Sequence, residues 1–356
     1  MFWINFPFVA IAVVVVPLSM RLTATPGSMM QKIKRVDWFG NLLLIISSTV
    51  LLMGLTWGGV QFPWNSAATL VPLLGSAAAL FGFVFYEMYV PIEPTIRTSL
   101  FTSYNMNYSL VAAMIHTLIV YAFLYFMPLY FEAAKGYGPI VSGVALFPQT
   151  FTVAPMSIVS GIIITKTGSF RPVIWFGWVC ITLGCGLMVM LDVDTTVPQW
   201  IFINIVSGIG LGFIYSSLNI VNQVACDDEN MAFAVGMFIF FRTAGQALGV
   251  AICGVIFQNQ MAKRLSNIPA LASNAEQYAR DAASLVQTIR SMPGGSTKTA
   301  LKDAYADALK TAWIVMCALS AACLVGSFFV NHVSLDRELK TDQGLQDSKK
   351  DEDNPA

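Results

Sequence analysis

Residues 138–172 read GPIVSGVALFPQTFTVAPMSIVSGIIITKTGSFRP, with no charged side chain from Ile140 to Ile164. A helix crossing the ~30 Å hydrocarbon core needs ~20 apolar residues, so this stretch is long enough to span a bilayer. Pro148 and Pro155 lie inside it. Both would break a soluble helix, but in a membrane bundle neighbouring helices satisfy the carbonyls that a proline frees. Lys166, Gly168 and Arg171 then form a short basic turn, and a new apolar run begins at Val173. A span, a tight cationic turn and a second span make a membrane hairpin. Cytoplasmic loops carry the excess of Lys and Arg, so the turn is expected in the cytoplasm.

The rest of the chain has the same texture. Of its 356 residues 56% are hydrophobic and only 11% charged, against ~25% charged in soluble domains. The expected fold class is an all-α polytopic membrane protein. About nine runs qualify as spans, near 2–20, 38–58, 68–89, 108–131, 140–164, 173–191, 198–222, 231–257 and 311–332. The first run could imitate a signal peptide, but it lacks a basic n-region and residues 17–21 make a poor cleavage site, so it reads as a span. Net charge is zero, which gives no reason to expect a nucleic-acid partner. The six cysteines fall in or beside apolar runs with no CxxC pair and read as small buried hydrophobes.

Orientation follows from the short loops. Arg21, Lys32, Lys34, Arg35, Arg97, Lys166 and Arg171 fall on one side, and only Lys135 on the other. The first side is expected to be cytoplasmic, with the C-terminus on it. Residues 258–310 then lie outside despite their seven Lys and Arg, because long loops translocate with little regard to charge. They read as an external cap with short helices at 274–290 and 299–310, interrupted by Pro293, Gly294 and Gly295. The polar tail 336–356 is expected to be a disordered cytoplasmic end.

Polar residues inside the spans carry the functional reading. Asn204, Gly208, Gly212, Tyr215, Asn219 and Asn222 are spaced 4, 4, 3, 4 and 3, which puts them on one helix face. Such a stripe faces either another helix, through close glycine packing, or an aqueous cavity. Gly208 and Gly212 read as packing positions, as do Gly245 and Gly249 on the next span. For Asn204 and Tyr215 packing and cavity lining are both open. Arg242, Gln246, Gly249 and Cys253 repeat the 4, 3, 4 pattern. Arg242 is the only charge deep in a span, where an Arg costs roughly 2.5–3.5 kcal/mol on insertion scales. It reads as a snorkelling side chain, an anchor for an anionic group, or a latch to a carbonyl on another helix. His116 reads as a packing residue. Tyr121 and Tyr125, at i and i+4, are suited to stacking an aromatic ligand. Gln149 suits a site for weakly polar solutes.

The absences point the same way. The acids Asp37, Glu87, Glu132, Asp192 and Asp194 sit at span ends, and no HExxH, paired-acid, nucleophile–His or metal-ligand pattern is seen. No enzyme, cofactor or metal is expected, and neither charged rings nor filter loops suggest a channel.

Several segments resemble the major facilitator superfamily, and within it the fungal drug:proton antiporters with fourteen spans. They are residues 2–8 (FWINFPF), 36–40 (VDWFG), 125–131 (YFMPLYF) with Ser142, Gly143 and Pro148, the basic turn 166–172, Gly208 to Gly212, and 241–245 (FRTAG) with Gly249. The resemblance covers nearly the whole chain except the tail, starting where the family's sixth span starts. It implies that 1–20 is the last helix of an otherwise absent N-terminal bundle, 21–100 two extra helices and a linker, and 101–335 a C-terminal six-helix bundle carrying the external loop 258–310. It further implies a truncated secondary transporter exporting small hydrophobic drugs or secondary metabolites in exchange for protons, at the plasma membrane or the vacuolar membrane. Its partners would be the lipid bilayer, the solute, protons and the missing N-terminal half. The alternative is a non-transporting fragment that needs that partner half. Without an opposing half, the chain by itself is not expected to drive proton-coupled export.

Overall fold

A computed structural model of the protein describes residues 3, 5–19, 28, 30, 33, 36–91, 96, 98–227, 230–269, 271–279 and 282–333. Arg21, Lys32, Lys34, Arg35 and Arg97 of the orientation argument lie outside the described residues, as does the tail 336–356.

The chain divides into two compact units, residues 1–36 with 337–356, and residues 37–336. In the first, α1 (Asn5–Ser19) is a 15-residue apolar helix with Pro17 in its last turn. At 1.5 Å per residue it is ~22 Å long, short of a ~30 Å hydrocarbon core. Eight helices are long and apolar enough to cross a membrane among the described residues, against about nine runs read from sequence, and all eight lie in the second unit.

The second unit is all-α among the described residues. Helices α2 (Trp38–Trp57) and α3 (Ala67–Tyr89) pair as an antiparallel hairpin. Asp37 caps α2 by accepting from the Gly40 N–H at 2.9 Å, satisfying one of the donors a helix start leaves open. The bundle follows: α4 (Tyr104–Ala133), α5 (Pro139–Val144), α6 (Phe147–Thr167), α7 (Arg171–Met188), α8 (Val197–Val224) and α9 (Met231–Leu265). After a cap with short helices α10 (Ala275–Ala279) and α11 (Ala282–Ser291) comes α12 (Ser296–Ser327). The strongest packing is α6 on α8, α9 on α4, and α7 on α8, with α12 against α7 and α9. The hairpin meets the bundle through α2 and α9. Outward faces stay apolar, as with Ile158, Ile239 and Val325, all more than half exposed. That is the pattern for helices whose solvent is lipid.

Two boundaries differ from the sequence reading. The span expected at 140–164 is broken at Ala145 and Leu146 into α5 and α6. Pro148 thereby sits in the first turn of α6, where its missing N–H would have had no intrahelical partner anyway. Only Pro155 is left inside. The loop expected at 258–310 is shorter: residues 258–265 extend α9 and 296–310 extend α12. Asp307 joins the extensions by pairing with Arg264 at 2.8 Å, and pairs at 2.8 Å with Lys310 on its own helix. The cap proper is residues 266–295. Its α11 buries Leu285, Val286 and Ile289, and Arg290 donates to the Tyr137 carbonyl at 2.6 Å and lies 3.8 Å from Glu132.

Candidate functional site

Helix approach sets the site. Seen from α9, Gly245 and Gly249 lie against the backbone of α4. A methyl group at Gly249 would come within 2.9 Å of both the carbonyl carbon and the Cα of Leu118, and one at Gly245 would meet the Met114 carbonyl. Because α9 comes this close, the Thr117 hydroxyl donates to the Arg242 carbonyl at 2.8 Å, one turn before Gly245. The Arg242 side chain reaches Tyr215 on α8. Its guanidinium carbon sits 4.4 Å from the centre of the Tyr215 ring and 5.7 Å from that of Phe238, both within cation–π range. Behind Tyr215 is His116, fully buried, with its ring 6.4 Å from the tyrosine's and Nε2 3.0 Å from the Leu211 carbonyl. A carbonyl only accepts, so Nε2 carries a proton, and Nδ1 has no partner. Tyr121 lies within electrostatic range of Arg242 and stacks on Tyr125, centroids 6.3 Å apart.

The electrostatics of this cluster are one-sided. No described carboxylate lies within ion-pair distance of Arg242, and its guanidinium makes no hydrogen bond to a described residue. Nη1 is sealed from solvent without a partner. Tyr215 beside it remains 47% exposed.

The other candidates divide. Gln149 and Asn204 are buried and are not brought to this cluster: Gln149 donates to the Ser207 hydroxyl at 3.0 Å, and Asn204 folds back on the Trp200 carbonyl. Gly208 and Gly212 lie against the α6 backbone at Gln149 and Val153. Asn222 is buried and points at Met106 and Ser109 on α4. Asn219 is half-buried and accepts from Gln223 on its own helix. Gln246, half-buried, is one turn along α9 from Arg242. Tyr125 is 55% exposed and opens on a separate cavity of about 620 Å³ between α2, α4 and α9. Sequence reasoning missed Thr117, Ser207 and the Ser157–Ser216 pair at 2.6 Å. A lone hydroxyl in an apolar helix bonds its own preceding turn equally well, so nothing local marks it as a crosslink. Phe238 was findable, four residues before Arg242.

A cavity of about 760 Å³ lies elsewhere. It lies between the α2–α3 hairpin and the far face of α9, walled by Leu51, Phe83, Phe240, Ala247 and Leu248, with Glu87 at its edge. Glu87 is in the last turn of α3, as its place at a span end implied, yet only 4% exposed, and it accepts from the Ile96 N–H at 3.3 Å. At the basic turn, Gly168 takes φ +64° to end α6, a left-handed angle that favours glycine. Arg171 covers Trp175 at 5.2 Å and Lys166 lies in the last turn of α6. Among the described residues no group of His, Cys, Asp and Glu is placed to hold a metal.

A bundle of long apolar helices with one cation and several tyrosines on an inner face defines a polytopic integral membrane protein. The chain belongs to the fungal trichothecene efflux pump (TRI12) family, whose model matches residues 2–301. Through that family it belongs to the major facilitator superfamily. It is 45% identical over 352 residues to "MFS transporter L2" of Phoma sp., covering 99% of this chain and 59% of that protein. It is 32% identical over 360 residues to "Efflux pump FUS6" of Gibberella fujikuroi, covering 99% and 64%. It is 31% identical over 353 residues to "MFS-type efflux pump LUC4" of a Fusarium species, covering 97% and 62%. The chain thus spans about three-fifths of the length of the curated relatives it matches.

Proposed function

We propose that the chain is the solute-handling part of a secondary transporter of the efflux type. It exports small, largely hydrophobic organic molecules, drugs or secondary metabolites, in exchange for protons, and it is a transporter rather than an enzyme. The observation that carries the reading is the division of the polar groups. Those between α6 and α8 are consumed in helix contacts, whereas Arg242, Tyr215 and Tyr121 remain on an open wall. Polar side chains are expensive in a membrane and usually face protein or water, so an open polar wall suits an aqueous path. Two of the relatives are named as efflux pumps, which supports the direction of transport. The facing wall would come from a second bundle, supplied by a longer protein or a partner fragment. The basic turn at Lys166, Gly168 and Arg171 and the C-terminus would face the cytoplasm, with the plasma membrane as the site of action and the vacuolar membrane as the other candidate.

The test is uptake of a fluorescent hydrophobic solute into inverted membrane vesicles. The chain is expressed alone and together with the N-terminal segment of a similar relative. Uptake that needs an imposed pH gradient and collapses with an uncoupler supports the proposal. Uptake indifferent to the gradient removes the proton coupling, and no uptake in either arrangement removes the efflux reading.

A further inference from the structure

We infer that Arg242 is an anion-recognition site, and that the solutes taken by this wall are amphipathic organic acids: an apolar body bearing a carboxylate or a comparable acidic group. The inference rests on the efflux reading and names its substrate class.

A guanidinium in a membrane span normally finds a carboxylate or a carbonyl, because each unpaired donor in a low-dielectric setting is costly. Arg242 has neither. Among the described residues, the side chains placed near it are Tyr121 and His116 from α4, Tyr215 from α8 and Phe238 from its own helix. None is an acid, and the one hydroxyl aimed at this residue, from Thr117, is spent on the Arg242 backbone carbonyl. The guanidinium carbon lies over the faces of the Tyr215 and Phe238 rings. Nη1 is sealed off, so the edge left for a carboxylate is that of Nε and Nη2, which can take it through two charge-assisted hydrogen bonds. Snorkelling fits less well. Arg242 is the twelfth residue of α9, ~16 Å along the axis from its start, and the side chain lies across to another helix. The surroundings explain the amphipathic body, since Tyr215, Tyr121 and Phe238 offer aromatic surface beside the charge.

The test uses the purified full chain in nanodiscs, with dansyl-undecanoic acid as probe and its methyl ester as the neutral control. Each is corrected for partition into empty nanodiscs. The acid should bind at least about tenfold more tightly than the ester, the scale of one charge-assisted contact. Arg242→Gln should abolish that preference, so that acid and ester bind alike, and Arg242→Lys should keep part of it. On the unaltered chain, phenylglyoxal modification of Arg242, followed by mass spectrometry, should be slowed by the acid and not by the ester. This arm decides the matter even if Arg242→Gln does not fold. Equal affinity for acid and ester, or a preference that survives Arg242→Gln, overturns the inference. So does loss of the preference when phosphatidylserine is added to the nanodiscs, which would give the site to a lipid headgroup. Vesicles that export neutral solutes while the acid shows no preference would leave the efflux reading standing and remove this one. Preferential binding of the acid with no export would do the reverse.

Discussion

Replacing Gly249 with Ala adds one methyl group and tests whether α9 is seated on α4 as described. The new Cβ would lie 2.9 Å from both the carbonyl carbon and the Cα of Leu118, and nearer still to its carbonyl oxygen. Ordinary contact begins at 3.4 Å, so the helices must part by at least 0.5 Å along that line. The obstacle is backbone and cannot swing aside. Overpacking of this kind costs about 1–3 kcal/mol. Separation would also stretch the Thr117–Arg242 hydrogen bond, and interhelical bonds in membranes are worth about 0.6–1.7 kcal/mol. Gly236 on the same helix is the control, because a methyl there meets nothing within 4 Å. Gly236→Ala should be neutral or gain up to about 1 kcal/mol from helix propensity. The assay is unfolding of purified protein by SDS titration in mixed micelles, with thermal melting as a second readout. Gly249→Ala should unfold clearly earlier than the unaltered protein and Gly236→Ala no earlier. Coincident curves for the two variants would refute the close seating of α9 on α4.

Other expectations concern the ends of the helices. Burial works to raise the Asp192 carboxyl, but donation from Thr195 and from the Thr195 and Asp194 backbones outweighs it and holds it below its ordinary 3.8. A depressed carboxyl contributes stability that is present above the unfolded value and lost as pH falls through the folded one. Asp192→Asn should therefore flatten the loss of stability on acidification below about pH 4, measured by melting against pH. Arg290→Ala removes the bond to the Tyr137 carbonyl and the approach to Glu132, and charged hydrogen bonds are worth about 1.5–3 kcal/mol. Amide exchange should rise across residues 266–295 and stay unchanged in α7, and equal exchange in both forms would contradict the latch. Asn107 heads the only glycosylation sequon, Asn107-Tyr108-Ser109. It should stay unmodified in cells, whereas an acceptor inserted near Ser273 should gain a glycan. A glycan on Asn107 would invert the topology.

The hydrophobic spans were legible because uncharged length is a direct signature of membrane crossing. The spans expected at 38–58 and 68–89 are Trp38–Trp57 and Ala67–Tyr89 in the structure. Hydropathy reports where a helix leaves the membrane, not where it ends. It therefore missed the extensions of α9 and α12, which continue on the pairing of Arg264 and Lys310 with Asp307. The break at Ala145 and Leu146 was hidden because prolines are tolerated in spans, and spacing alone does not say which will interrupt one. The α8 stripe was visible as a face, yet periodicity cannot name the neighbour that covers each part. The structure sets Gly208 and Gly212 against α6 and Asn222 against α4, and leaves Tyr215 open under Arg242. That the Arg242 carbonyl would be met by Thr117, 125 residues earlier in the chain, had no local sign at all.

The central claim is that the Arg242–Tyr215 wall faces water rather than lipid. Cysteine accessibility tests it most directly. In a background without native cysteines, Tyr215→Cys, Gln246→Cys and Ile239→Cys are each exposed to a membrane-impermeant cationic thiosulfonate in nanodiscs. Ile239 is 58% exposed on the apolar outer side of α9 and serves as the lipid-facing reference. A thiol reacts as the thiolate, which forms in water and not in hydrocarbon. The account predicts modification at 215 and 246 and none at 239. Protection at all three positions would contradict it and return Arg242 to a packing role.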